Sequence, residues 1–224
     1  MSLEKILLVF VLTALSGCVQ LAPVSHDGLS LQESAGFGAV YARDGVVLDD
    51  YDRFAVEDCT VAFRANWLRD QNRGRRPLTH RVEPKDMAAI RDSVATLCDE
   101  AFRDMLAVDP PYKVVDSGKT GATTLLLRPA IVDLDVVAPD LRDIGLLRTF
   151  TTGAGAMTLR LEVVDGHTGE TLFRVIDRQR DVASMDTGTG LRWSNRVTNR
   201  LEAQRMLRHW AKHLRDGLDR VMRQ

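Results

Sequence analysis

Residues 157–177 restrict the fold more than any other part of the chain, because they spell out a β-hairpin. Met157, Leu159, Leu161 and Val163 alternate with Thr158, Arg160 and Glu162, so a strand here has one buried face and one wet face. The turn formers Asp165-Gly166-His167-Thr168-Gly169-Glu170 follow, and Thr171 to Asp177 returns as the second strand. A second apolar strand is expected from Thr123 to Leu134, after a short one at Tyr112 to Val115. Phe54 to Phe63 is rich in strand formers without helical spacing and reads as the first long strand.

Two segments carry the other period. Pro84 sits where a helix accepts a first-turn proline, and Met87, Ile90, Val94, Leu97, Ala101 and Met105 recur every three or four residues until Pro110-Pro111. Near the end, Val197, Leu201, Leu207, Trp210, Leu214, Leu218 and Val221 form one apolar stripe with cations on the other faces. This order of strands and helices predicts an α+β domain: a mostly antiparallel sheet of about five strands packed against two long amphipathic helices.

The amino terminus says where such a domain is sent. Lys5 precedes an apolar run from Ile6 to Leu15 that, at about 15 Å as a helix, is too short to span a bilayer core of roughly 30 Å. It reads as the core of a secretory signal over residues 1–17. Leu15-Ser16-Gly17-Cys18 resembles the lipobox of bacterial lipoproteins at all four positions. That resemblance implies cleavage before Cys18, lipidation of its thiol and a membrane-anchored protein of the cell envelope. Val19, rather than Asp, after the cysteine implies the periplasmic side of the outer membrane. Residues 18–45, with Gly28, Ser30, Ser34, Gly36 and Gly38, read as a flexible tether, and 46–224 as a single globular domain.

After export, Cys59 and Cys98 are the remaining thiols, and an oxidising compartment allows a disulfide between them; two separately buried thiols are the alternative. The composition, 45% apolar and 27% charged with a formal net charge of −1, is that of a folded soluble domain and gives no argument for nucleic acid. Charge is uneven along the chain. Six acids against Arg53 lie between Asp44 and Asp58, and nine Arg or Lys against three acids lie between Arg192 and Arg223. These are solvated faces or a basic docking face.

Cys18, Tyr51-Asp52-Arg53-Phe54, Leu161 to Asp165 with Thr168-Gly169-Glu170, and Trp210 to Arg215 together carry a likeness: the chain resembles the bacterial lipoprotein family known as domain of unknown function family 3313. The family has no assigned activity, so the resemblance implies no catalytic residue.

Every familiar catalytic pattern fails. Ser117-Gly118-Lys119-Thr120 looks like the end of a phosphate-binding loop, but Lys113 stands where the first glycine is needed, which leaves a hairpin turn. His209 and His213 have chelating spacing on a helix, yet Trp210 occupies the position a zincin fills with Glu; no metal or other cofactor is implied. Asp133 and Asp135 could pair with Asp165 or Glu162 as the acid and base of a glycan or lipid hydrolase. Arg73, Arg75 and Arg76 form a basic loop suited to phosphate groups, and Trp193, among Gly190, Arg192 and Ser194, suits a partner contact. The expectation is a non-enzymatic, membrane-anchored binding or structural domain whose partner is an envelope protein or glycolipid. An accessory subunit of a transport or secretion system is the alternative within that class, and the carboxylate hydrolase the alternative outside it.

Overall fold

The computed structural model describes residues 27–34, 36–73, 81–136, 149–151, 155–180, 192–194 and 196–222. In chain order the strands are β1 (Leu29–Gln32), β2 (Ala39–Arg43), β3 (Arg53–Val56), β4 (Thr60–Phe63), β5 (Lys113–Val114), β6 (Thr124–Val136), β7 (Thr149–Thr151), β8 (Gly155–Asp165), β9 (Thr171–Arg180) and β10 (Arg192–Ser194). The helices are α1 (Trp67–Gln71), α2 (Pro84–Ala107) and α3 (Arg196–Met222), with a 3-10 turn at Ser117–Lys119.

Eight strands form a mixed sheet in the order β1-β2-β9-β8-β6-β3-β5, with β4 also on β6; β7 and β10 pair separately. The fold is α+β, but the sheet is neither mostly antiparallel nor five-stranded. The β8–β9 hairpin and its neighbours β2 and β6 pair antiparallel, whereas β3 pairs parallel with β5 and β6, and β4 parallel with β6. The cause is α2, which carries the chain from β4 back to β5 and β6; such a crossover returns the next strand in the same direction.

Two further strands come from the segment read as tether. β1 and β2 pair with each other, β2 pairs with β9 from Ala39↔Ile176 to Ala42↔Phe173, and Leu29 is fully buried. The ordered domain therefore starts well before Val46. Main-chain pairing holds this hairpin in the sheet, and the half-exposed residues of β2 show no alternation for a sequence reading to catch.

The expected strand from Phe54 to Phe63 is two strands laid end to end along one edge of β6. Val56 stands opposite Leu127 and Thr60 opposite Ala130, so the edge carries one more residue than β6 between those points. At the break the Cys59 N–H leaves the sheet and donates to the Asp99 carboxylate at 2.7 Å. The Cys59 sulfur is bonded to Cys98, with Cα atoms 6.1 Å apart, inside the usual disulfide range. Two consecutive residues of α2 thus hold the interruption in place. Burial outweighs that hydrogen bond and raises the Asp99 carboxyl above its ordinary value, with help from Asp58.

Both long helices cover one face of the sheet. From α2 come Val94, Leu97, Cys98, Ala101, Phe102, Met105 and Leu106; from α3 come Ala203, Leu207, Trp210, Ala211, Leu214 and Leu218. They meet Phe54, Val56, Leu125, Leu127, Ile131, Leu134, Met157, Leu159, Leu161 and Val163 from the sheet. Leu201 and Val221, placed on the α3 stripe by spacing, are instead more than half exposed, and the small residues Ala203 and Ala211 fill the contact.

Buried polar groups lock the layers together. Trp210 Nε1 donates to Asp177 at 2.6 Å, and Gly38 N–H donates to the other Asp177 oxygen at 2.9 Å, tying α3, β9 and the β1–β2 turn to one carboxylate. Arg215, 5% exposed, lies over the Tyr112 ring and donates to the Met105 and Pro110 carbonyls and to Asp219. The Met105 carbonyl belongs to the last turn of α2, where backbone acceptors lack helical partners and a cation is favoured.

Candidate functional site

The long helices pack on one face of the sheet; on the other the pleat decides what is presented, and its exposed part lies on β8 and β9, at Arg160, Ile176, Arg178 and Arg180, while Ala55, Leu126, Thr158 and Val164 are buried. Along β8 the odd residues face the helices, so Thr158, Arg160, Glu162 and Val164 point outward; Arg174, Ile176, Arg178 and Arg180 do so on β9, and Leu126, Arg128 and Ala130 on β6. Register then lines these residues up across three adjacent strands. Arg128 stands opposite Glu162, which stands opposite Arg174; Ala130, Arg160 and Ile176 form the next row; Val132, Thr158 and Arg178 the next; and Arg180 closes the set opposite Ala156.

Five arginines consequently share one face. Glu162 accepts from Arg160 at 2.8 Å and from Arg174 at 2.9 Å, while Arg174 also holds Asp27. Burial works against the Glu162 carboxylate, but the two guanidinium groups outweigh it and keep the carboxyl below its usual range. Arg128 is paired with Glu57 at 2.8 Å. Arg178 donates to the Thr158 hydroxyl at 2.9 Å, and both Arg178 and Arg180 are exposed. Neither has a carboxylate partner among the described residues. At the turn end of the sheet the same side is covered: Ala55, Leu126 and Val164 form a small buried cluster with Val115 packed against it.

The turn itself is tightly organised. Asp165 accepts from Tyr51 Oη at 2.6 Å and from the backbone N–H groups of His167 and Thr168 at 2.8 and 2.6 Å. Burial alone would raise its carboxyl, but these donors prevail and bring it down to about 2. Burial, and then the bond to Asp165, push the Tyr51 phenol up to about 12. Gly166 docks on β6, its N–H 2.8 Å from the Thr124 carbonyl; a Cβ there would stand 2.7 Å from that oxygen.

The carboxylates considered as a hydrolytic pair are not brought together. Asp165 is opposite Leu125, ten residues along β6 from Asp135, a separation of roughly 33 Å; Glu162 is opposite Arg128, seven residues or roughly 23 Å away. Paired glycosidase carboxylates stand within about 10 Å. A bulge lies between Val132 and Asp135, with Asp133 at φ 53°, which turns both Ile131 and Leu134 toward the core. Asp135 is engaged by Arg64 at 2.9 Å, and Arg64 also binds Asp70.

The remaining sequence candidates are scattered. Cys18, Arg75 and Arg76 lie outside the described residues, and Arg73 is exposed, 3.7 Å from Asp70. Trp193 lies in β10, its backbone paired with Phe150. His209 and His213 meet edge to face with ring centroids 4.3 Å apart, and His213 also meets Phe37. Among the described residues no three His, Cys, Asp or Glu side chains converge as a metal site. Ser117–Lys119 is a 3-10 turn whose Gly118 N–H donates to the Asp116 side chain at 3.0 Å.

Residues 22–214 match a family model described as protein of unknown function, DUF3313. The chain belongs to that family. A search of curated proteins gave no match. Among solved structures it is similar to a single-substitution variant of the PelC dodecamer from Paraburkholderia phytofirmans, with 12% identity, 83% of this chain and 98% of that chain covered, and a TM-score of 0.38. A second PelC dodecamer structure from the same organism gives 10% identity, 79% and 96% coverage, and the same TM-score. Likeness at that distance transfers no property to this DUF3313 chain. No described helix is long and apolar enough to cross a membrane.

Proposed function

We propose that the protein is a lipid-anchored lipoprotein of the bacterial envelope, attached through Cys18, whose domain works by binding rather than by catalysis. The observation that carries this reading is the Cys59–Cys98 disulfide at the junction of sheet and helix. A cross-link in the folded core needs an oxidising compartment, and the signal and lipobox at Leu15 to Cys18 provide the route to one. A binding role is supported by the separation of the carboxylates and by a rigid, three-strand arginine face on the side of the sheet away from the long helices. A periplasm-facing outer-membrane location, and an envelope protein or glycolipid as partner, belong to the same reading.

The test is fractionation of wild type and Cys18→Ser in a Gram-negative host after a high-salt wash. Wild type stays with the membranes and carries an acyl mass on Cys18, while the variant is released as a folded soluble protein. A variant that still sediments after the wash overturns the anchor.

A further inference from the structure

The first described residue lies on a particular side of the sheet: Asp27 is bonded to Arg174 and its carbonyl accepts from Arg43, which sets it beside the arginine face, on the side away from the helices. Nine residue steps separate Asp27 from Cys18, at most about 31 Å fully extended. A lipid on Cys18 would therefore hold Asp27, and with it this face, no farther than about 31 Å from the bilayer surface, within reach of direct headgroup contact.

Charge decides what the face meets there. Arg128 and Arg174 are matched by Glu57, Glu162 and Asp27, Arg160 is half exposed while sharing Glu162, and Arg178 and Arg180 present guanidinium groups to solvent. Guanidinium forks suit phosphate oxygens, and the spacing between adjacent strands, about 4.8 Å, sets the exposed groups in a fixed array. The cations of α3 are the competing surface. They sit in the helix layer, away from Asp27, and Glu202 and Asp216 pair with Arg205 and Lys212.

We propose that the exposed part of this face, on β8 and β9, is the surface that this domain lays on a bilayer of anionic phospholipid, with Arg160, Arg178 and Arg180 meeting headgroup phosphates. The proposal rests on lipidation of Cys18 for delivery; the acyl chains hold the protein at the bilayer, and the arginines add a charge contact that orients it. It also fixes the orientation of the domain, with both long helices turned away from the membrane toward any partner.

The experiment uses the mature lipidated protein in nanodiscs of phosphatidylethanolamine alone or mixed with phosphatidylglycerol, labelled with an arginine-selective glyoxal and read by mass spectrometry. Arg160, Arg178 and Arg180 should be protected in the anionic discs and exposed again at high salt, while Arg91 and Arg208 on the helices label equally in both. Equal labelling of the sheet arginines in both discs overturns the proposal, as does protection confined to Arg208. In a vesicle-binding arm without the lipid, Cys18→Ser carrying Arg160→Gln, Arg178→Gln and Arg180→Gln should bind phosphatidylglycerol vesicles on the order of a hundredfold more weakly than Cys18→Ser alone, at about fivefold per charge. Intact mass reports acylation separately. A mature chain without acyl groups sinks the anchor reading, and the arginine face is then judged by whether anionic vesicles protect it on the unanchored protein.

Discussion

Removing the Cys59–Cys98 bond gives the sharpest stability test, because the link closes a loop of 39 residues between an interrupted edge strand and the middle of α2. In the chain-entropy picture a loop of that length restricts the unfolded ensemble by about 4 kcal/mol at 25 °C. For a domain of this size each kcal/mol shifts the melting temperature by roughly 2 to 4 °C, so reduction of the wild type should lower Tm by about 8 to 16 °C. Cys59→Ala with Cys98→Ala should lower it somewhat further, since both residues are buried and each truncation leaves packing unfilled. Calorimetry of oxidised and reduced wild type and of the double variant measures both terms. Thiol titration of the unfolded, unreduced exported protein should find neither cysteine free. Two titrating thiols, or a double variant melting within about 2 °C of wild type, would refute the argument at its root.

Arg215→Ala should destabilise by about 2 to 3 kcal/mol in urea denaturation, because it removes a buried guanidinium's bonds to the Met105 and Pro110 carbonyls and to Asp219; Arg215→Lys should recover only part, lacking the planar fork. The Tyr51–Asp165 bond predicts a pH dependence. The folded Asp165 carboxyl, at about 2, lies below its ordinary 3.8, so its stabilising contribution is complete above about pH 4 and is lost as pH falls toward 2. Tyr51→Phe should therefore cost on the order of 1 kcal/mol at pH 7, after allowance for solvent exposure, and the gap to wild type should narrow as pH falls through that window. A gap that stays constant from pH 7 to pH 2 would show that Asp165 is not the partner that matters.

What the sequence makes legible is whatever has a local period. Met157 to Val163 alternate because one strand face is buried, and the hairpin that follows is folded as expected, with Asp165 holding its own turn through local N–H groups. The helix from Pro84 is legible for the same reason, since its buried residues recur at helical spacing. The parallel pairings of β3 and β4 with β6 have no local signature; they follow from where α2 returns the chain, a non-local fact. The extra residue at Asp133 is equally hidden, because a non-glycine at positive φ inside a strand advertises nothing in its neighbours.

The arginine face falls between these cases. A search for contiguous cations finds 73–76 and the last helix, and misses Arg174, Arg178 and Arg180, which are separated by even numbers and therefore share one side of β9. That much can be read from spacing alone. Joining them to Arg160 and Arg128 needs the registers of β8 against β9 and of β6 against β8, and joining the face to the anchor needs the contact between Asp27 and Arg174. On the proposed anchoring through Cys18 that contact has a further consequence: Asp27 is an acid held on the cationic face, so the pair that seats the amino-terminal hairpin would also set which side of the sheet is drawn toward the bilayer. Asp27→Asn should loosen that coupling without disturbing the core, since neither partner belongs to the buried apolar cluster.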